Sequence, residues 1–118
     1  MKTQYTGRFA PSPTGELHFG SLVAAVASYA DAKHHNGSWL LRIDDVDQPR
    51  KADGSSESII ATLKAFGFEW DGPTRWQSQR ELKYQEAITS LRERGLAYPC
   101  RCSRKRIEKT AQAGAEGM

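Results

Sequence analysis

The sequence predicts an α/β fold in which short strands alternate with amphipathic helices. Two observations support this prediction: apolar runs of strand length alternate with segments of helical spacing, and turn residues separate them. The length of 118 residues allows one domain with a modest core. Strand–helix–strand units with right-handed crossovers are typical of α/β sheets, so the strands are expected to join in one sheet.

The first part of the chain is expected to form a strand, a helix and a second strand. The first strand is predicted at Tyr5–Phe9 and the first helix from about Gly20 to His34. Asn36–Gly37 then ends the helix, and Trp39–Ile43 is a continuous apolar run typical of a buried strand. The apolar residues at helical spacing in the first helix are Leu22, Val23, Val26, Tyr29 and Ala30.

Two further helices are expected along the rest of the chain. The second runs from residue 55 or 56 to Phe66. The third begins at a capping box over residues 78–81 and ends at Gly95, while residues 114–118 are a helix-breaking stretch. The residues expected on one face of the second helix are Ile59, Ile60, Leu63 and Phe66.

Hydropathy and charge limit the classes of protein. No stretch approaches the ~20 consecutive apolar residues of a membrane span, and the N-terminus has no apolar signal core. The chain is therefore expected in the cytoplasm. Residues 92–109 hold seven Lys or Arg against two Asp or Glu. This basic segment either meets a nucleic-acid backbone or is a solvated helix face.

A turn rich in proline and glycine, residues 11–20, lies between the first strand and the first helix. Its prolines exclude a helix, and Gly20 permits the backbone to approach a ligand closely. The free N–H groups and the dipole of the helix N-terminus favour phosphate at this position. His18 would add a donor to phosphate oxygens. In the alternative interpretation, His18 only caps the helix.

Charged residues at the ends of the two strands predict a site for a zwitterionic small molecule beside the phosphate. Arg8 can pair bidentately with a carboxylate. Asp44, at the end of the second strand, can bind an ammonium group. In the alternative interpretation, Asp44–Asp47 form a solvated turn with Arg42 and Arg50.

Cys100 and Cys102 are the only two cysteines. A disulfide is disfavoured because their spacing would strain it and the cytoplasm is reducing. Two thiolates on one turn can supply half of a tetrahedral zinc site. The Cys-x-Cys pattern by itself is a weak indication of metal.

The two turn regions together resemble a known family. Residues 5–50 are similar to the N-terminus of class I glutamyl-tRNA synthetases, where Arg-Phe-Ala-Pro-Ser-Pro-Thr-Gly, here residues 8–15, leads into the "HIGH" signature. The resemblance extends over roughly residues 5–107. Within the family it is strongest to the glutamyl-queuosine tRNA(Asp) synthetase branch, through residues 18–22, 76–80 and 100–104.

The resemblance implies the first half of a Rossmann-type class I catalytic domain over residues 1–98. Residues 99–118 would begin a zinc-binding insertion whose other ligands lie further along. The implied activity is ATP-dependent formation of glutamyl-adenylate, with Mg²⁺, and transfer of glutamate to queuosine of tRNA(Asp) by a monomeric protein. The family's second-half lysine loop is not in residues 1–118, so this chain alone is expected to be an inactive N-terminal fragment.

The resemblance also implies roles for particular residues, with His18 as the catalytic one and Cys100 and Cys102 as metal ligands. Two positions depart from the family pattern. The second histidine of the signature is Ser21 here, and the usual glutamate is Asp44, shorter by about 1.5 Å. The implied contacts to glutamate are Arg8, Phe9, Ala10, Pro11, Ser12 and Asp44, and those to ATP are Pro11, Gly15, His18, Gly20 and Ser21.

Two alternatives remain open on the sequence alone. The parent protein would be an ordinary glutamyl-tRNA synthetase that charges the tRNA 3′ end, or the chain would be a non-catalytic half-domain that only binds.

Overall fold

Three strands form one parallel sheet in the order β1-β2-β3 in the computed structural model, which describes residues 3–47 and 51–116. Strand β1 (Thr6–Phe9) lies beside β2 (Ser38–Ile43), with Thr6 opposite Ser38. Strand β2 lies beside β3 (Arg75–Trp76). The chain divides into two compact units, residues 1–81 and residues 82–118, and the sheet belongs to the first. The expected α/β architecture is confirmed.

Helix α1 (Phe19–His34) connects β1 to β2, and helix α2 (Ser55–Ala65) follows β2. The sequence-based bounds of these elements agree with the structure within about two residues. Strand β3 was not predicted, because two residues are too few to show a periodic pattern. A 3₁₀ turn over Gln77–Arg80 follows it directly.

The core of the first unit lies between the sheet and its helices. Trp39, Leu41 and Ile43 alternate along β2 as fully buried residues. The Trp39 ring stacks on Phe68 with ring centroids 5.5 Å apart, and its indole N–H donates to Ser28 Oγ at 3.0 Å. The remaining buried hydrophobic residues are Phe9, Ala25, Ala32, Ile59 and Leu63.

The face of α1 that packs on the sheet differs from the prediction. Ala25 and Ala32 are fully buried, whereas Val23 and Val26 are 51% and 55% exposed. The reason is the close approach of α1 to β1: a Cβ on Gly7 would lie 3.2 Å from the Ala32 Cβ. Only small side chains fit there. Ala30 is also exposed, while Leu22 and Tyr29 are partly buried as expected.

Phe66 is a second correction, because it is 67% exposed and does not join Ile59 and Leu63 in the core. Helix α2 ends at Ala65, so the backbone at Phe66 has already left the helix. Its ring lies on an apolar surface groove with Phe19 and Val26.

The turn at Gly37 fixes the register of β1 against β2. Its N–H donates to the Ala32 carbonyl at 2.8 Å, and the next N–H, of Ser38, donates to the Tyr5 carbonyl at 2.9 Å. A Cβ on Gly37 would lie 2.2 Å from that Tyr5 oxygen. Glycine is therefore required by the space at this turn.

The second unit contains helix α3, which runs Glu81–Glu93, and helix α4 (Arg104–Glu116). Gly95 ends α3 as predicted, with φ +71° and its N–H donating to the Arg92 carbonyl at 3.0 Å. The predicted helix-breaking stretch is wrong as far as residue 116, because α4 continues through Gly114. Gly117 and Met118 lie outside the described residues. None of the helices in the described part of the chain is long and apolar enough to cross a membrane.

Candidate ligand-binding cleft

A cleft of about 480 Å³ opens where β1 ends and α1 begins. This volume is within the usual range for small-molecule sites. It contains most of the residues that the sequence assigned to ligands. The described lining residues are Arg8, Phe9, Ala10, Pro11, His18, Gly20, Ser21, Ala24 and Ser28. Ser12, Gly15 and Asp44 are not among them.

His18 is the N-cap residue of α1 and also lines the cleft. Its backbone is extended, with φ −87° and ψ 170°, and its Nδ1 accepts the Ser21 N–H at 3.2 Å. Its Nε2 lies 3.1 Å from Ser21 Oγ. The capping alternative is therefore observed, and it places the imidazole at the end of the helix that lines the cleft.

Gly20 leaves space for the His18 ring. A Cβ at position 20 would lie 3.2 Å from both Cε1 and Nδ1 of that ring. The ring therefore rests against the Gly20 backbone, and a larger residue would displace it. This gives Gly20 a steric role in the cleft besides the backbone approach expected from sequence.

Two backbone hydrogen bonds join the proline-rich turn to the segment after β2. The Pro11 carbonyl accepts from Asp44 N–H at 3.0 Å, and the Pro13 carbonyl accepts from Ala52 N–H at 3.0 Å. Both prolines are buried. These bonds fix the wall of the cleft and place the Asp44 backbone beside the turn.

The Asp44 carboxylate is held by Arg42 in the structure. Arg42 Nε lies 2.5 Å from Asp44 Oδ1, and its Nη2 lies 3.1 Å from Oδ2. The Asp44 side chain is 22% exposed. Asp44 does not line the cleft, so the predicted contact of its carboxylate with an ammonium group is not available in this arrangement. Arg50, the other arginine of the solvated-turn alternative, lies outside the described residues.

Asp45 shows that this turn is not simply solvated, because the residue is only 4% exposed. Its Oδ1 accepts from Ser78 N–H at 2.8 Å, and its Oδ2 accepts from Ser78 Oγ at 2.6 Å. Burial raises the pKa of the Asp45 carboxyl. The two hydrogen bonds from Ser78 and the nearby Lys51 charge together lower the pKa by more than burial raises it, so the pKa lies below its ordinary value.

The capping box predicted over residues 78–81 is a correction that follows from this contact. Ser78 lies within the 3₁₀ turn, and its hydroxyl donates to Asp45 instead of capping α3. Sequence reasoning missed the pair because 33 positions separate the two residues.

Replacing Asp45 by Asn should destabilise the first unit. Asn keeps the shape but loses the charge that Ser78 donates to, which should cost about 1–3 kcal/mol of unfolding free energy at pH 7. Because the folded-state pKa is below the ordinary value of 3.8, the stabilisation is present above pH 3.8 and is lost as pH falls through the folded-state pKa. Urea unfolding at pH 7 and below pH 3.8 measures both effects.

The exposed Asp53→Asn variant is the matched control for this measurement. It should unfold like the unmodified chain at both pH values. The difference in unfolding free energy between Asp45→Asn and the unmodified chain should shrink below pH 3.8. If this difference were the same at both pH values, the role of the charge would be contradicted.

Cys100 and Cys102 are both free and exposed. Hydrogen bonds from Cys102, through its backbone and its thiol, lower the pKa of the Cys100 thiol. This favours the thiolate that binds metal. However, residues 3–47 and 51–116 contain no group of three or more His, Cys, Asp or Glu that could hold a metal ion. The two thiols therefore do not form a zinc site by themselves.

Comparison with known proteins gives a consistent result over nearly the whole chain. The family model for the catalytic domain of class I tRNA synthetases (E and Q) matches residues 4–117. A glutamate tRNA ligase from Elizabethkingia meningosepticum, solved in complex with its amino acid, has a TM-score of 0.78 and 33% identity, covering 98% of this chain and 25% of its own.

Three curated relatives named glutamyl-Q tRNA(Asp) synthetase are similar at higher identity. The protein from Neisseria meningitidis serogroup B is 57% identical over 114 residues, which are 97% of this chain and 39% of the relative. That from Dechloromonas aromatica is 56% identical, covering 98% and 38%. That from Escherichia coli O157:H7 is 55% identical, covering 90% and 34%. The chain thus spans well under half the length of the relatives it matches.

Proposed function

The chain belongs to the class I tRNA synthetase (E and Q) catalytic-domain family, and from this membership we propose that it serves in glutamate activation for transfer to queuosine of tRNA(Asp). The observation that carries the proposal is the cleft at the end of β1, where Arg8 and His18 line one cavity. Membership of this class implies ATP with Mg²⁺. The names of the relatives with 53–57% identity favour the queuosine acceptor.

The proposed reaction needs no nucleophile from the protein. A carboxylate oxygen of glutamate attacks the α-phosphorus of ATP, the bond to the bridging oxygen breaks, and pyrophosphate leaves. A hydroxyl oxygen of queuosine then attacks the acyl carbon, the bond from that carbon to the AMP oxygen breaks, AMP leaves and the hydroxyl proton passes to solvent. Positioning and stabilisation of developing charge are the protein's contribution.

Glutamate is proposed to lie against the end of β1, with Arg8 paired to a carboxylate. Phe9, Ala10 and Pro11 supply the wall of the cleft beside it. Ser12 and Asp44 are proposed to add contacts from outside the present cleft lining. Asp44 would join only after a side-chain rearrangement, since Arg42 holds it in this structure. An ammonium group would then have to compete with Arg42 or share the carboxylate with it.

ATP is proposed to lie over the N-terminus of α1. The free N–H groups and the helix dipole favour phosphate there, and Gly20 lets the chain approach it closely. His18 and Ser21 supply the side-chain donors. Gly15, which the family resemblance also assigns to ATP, lies outside the described cleft lining.

The second unit is proposed to serve tRNA and metal binding. Helix α4 presents exposed basic residues at its start, Arg104, Lys105 and Arg106, which suit a phosphate backbone. Cys100 and Cys102 would supply two of four zinc ligands, so a structural zinc needs ligands from beyond the described residues. No step of the proposed reaction depends on that zinc. A monomeric state remains a prediction.

A chimera tests the proposal, with the matched 114-residue segment of this chain replacing that of the Neisseria meningitidis relative. We expect ATP–pyrophosphate exchange that depends on glutamate, because the segment brings its own cleft. Glutamine and aspartate in place of glutamate are the controls. Exchange is expected without tRNA.

Two results would change the assignment. Exchange only in the presence of tRNA would favour the ordinary glutamyl-tRNA synthetase, to which the glutamate tRNA ligase structure is similar. A folded chimera without exchange, beside an active unmodified relative, would contradict catalysis and favour the binding-only alternative.

A further inference from the structure

Arg42 and Asp44 form an ion pair at the end of β2. Buried and partly exposed residues alternate along β2, and Arg42 belongs to the partly exposed set. Asp44 follows the strand directly, and two contacts join the side chains. Arg42 Nε lies 2.5 Å from Asp44 Oδ1, and Nη2 lies 3.1 Å from Oδ2. The pair therefore engages both oxygens of the carboxylate.

The same face of the sheet carries Arg8. In the parallel register Arg8 lies opposite Leu40, and opposite residues of neighbouring strands share a face. Leu40 and Arg42 are two positions apart on β2, so they share that face as well. The Asp44 N–H donates to the carbonyl of Pro11, which lines the cleft with Arg8. The ion pair is thus attached directly to the wall of the cleft.

The charge of Arg42 determines what Asp44 can offer to a ligand. The guanidinium compensates the negative charge of the carboxylate and occupies a lone pair on each oxygen. An ammonium group can use only the remaining lone pairs, and it meets the positive charge of Arg42 as it approaches. The Asp44 side chain is 22% exposed, so water screens these charges only in part. A ligand carboxylate meets no such repulsion.

We propose that Arg42 is a specificity-determining residue of the amino-acid site. It acts through Asp44 as a positioning residue: by holding the carboxylate, it weakens the attraction of the site for an ammonium group. The carboxylates of the ligand then supply most of the recognition. The proposal rests on the proposed function for the identity of the ligand, and it adds which charged groups of glutamate the site selects.

The first experiment tests the ion pair in the 118-residue chain labelled with ¹⁵N-arginine. The Arg42 Nε–H should exchange slowly with water and give a signal apart from those of exposed arginines, because it donates to Asp44. Arg42→Gln identifies the signal, and Asp44→Asn should return it to the range of exposed arginines. A signal that Asp44→Asn leaves unchanged would overturn the proposal. This measurement needs neither ligand nor catalysis.

The second experiment compares glutamate with glutarate, which has the same carbon chain and both carboxylates but no ammonium group. Calorimetric titration of the chimera described above gives the ratio of the glutarate Kd to the glutamate Kd. Arg42→Gln should raise this ratio about tenfold, because the released carboxylate gains a charge-assisted contact with the ammonium. Asp44→Asn should lower it. Arg42→Lys keeps the charge without the planar two-bond contact and should give an intermediate ratio.

Arg75→Gln is the matched control, because Arg75 is exposed and lies opposite Arg42 on β3. It removes the same charge while both partners of the pair stay in place, so the ratio should not change. An equal rise in Arg75→Gln would show a general charge effect and refute the role of the pair. An unchanged or lower ratio in Arg42→Gln would also refute it, since Arg42 would then not oppose the ammonium. A chimera that binds neither ligand would instead contradict the proposed function, whatever the signal of the pair.

Discussion

The His18→Ala chimera should lose about 10²–10³ in kcat for glutamate-dependent pyrophosphate exchange. The imidazole caps the N-terminus of α1 and lines the cleft, with its Nε2 3.1 Å from Ser21 Oγ. Its loss removes a preorganised donor at the point where charge develops on the phosphate. The expected change is in kcat more than in the KM for glutamate, because Arg8 remains.

A matched control separates this effect from simple loss of stability. Removing the cap at the N-terminus of α1 costs roughly 0.5–2 kcal/mol of stability. Rates are therefore compared well below the melting temperature of each variant. His34→Ala changes an exposed histidine at the other end of the same helix and should keep full activity. Equal losses in the two variants would show that His18 has only a structural role.

The elements nearest the cleft could be predicted because local chemistry determines them. The prolines after β1 exclude a helix, and the apolar run 39–43 is short enough to be a strand. Arg8, His18 and Gly20, which the sequence assigned to neighbouring ligands, line one cavity in the structure. The family resemblance supplied this grouping of residues, because no local rule predicts that the end of a strand and the start of a helix contact one ligand.

The features that sequence could not predict depend on distant contacts. The capping pattern over residues 78–81 predicts that the Ser78 side chain caps the following helix, yet its hydroxyl donates to buried Asp45. Val23 and Val26 have the right spacing for a core face, yet Ala25 and Ala32 are the buried residues, and at Ala32 the close approach of Gly7 admits only a small side chain. In each case a contact across the fold outweighed a local preference.

Asp44 combines both kinds of information. Its position at the end of β2 was predictable from the sequence. Its pairing with Arg42 was expected only in the solvated-turn alternative, where it had no role in ligand binding. Two contacts to one guanidinium hold the carboxylate firmly. In the proposed function, glutamate recognition therefore depends more on Arg8, because Arg42 already holds the Asp44 carboxylate.

Arg8→Ala should accordingly raise the KM for glutamate in the chimera strongly. Arg8 is exposed on β1 and lines the cleft. Losing a charge-assisted hydrogen-bonded contact costs about 1.5–3 kcal/mol, which corresponds to a rise of about 10- to 150-fold in KM. The KM for ATP should change much less, since the helix N-terminus is intact.

Two variants define what the Arg8 measurement shows. Arg75→Ala removes an exposed arginine from β3 and should leave the KM for glutamate unchanged. Arg8→Lys keeps the charge but cannot form the planar two-bond contact, so it should recover only part of the loss. If Arg8→Lys were as good as arginine, charge alone would suffice and the bidentate contact would be wrong. If Arg8→Ala kept an unchanged KM for glutamate, the carboxylate would have to bind elsewhere in the cleft.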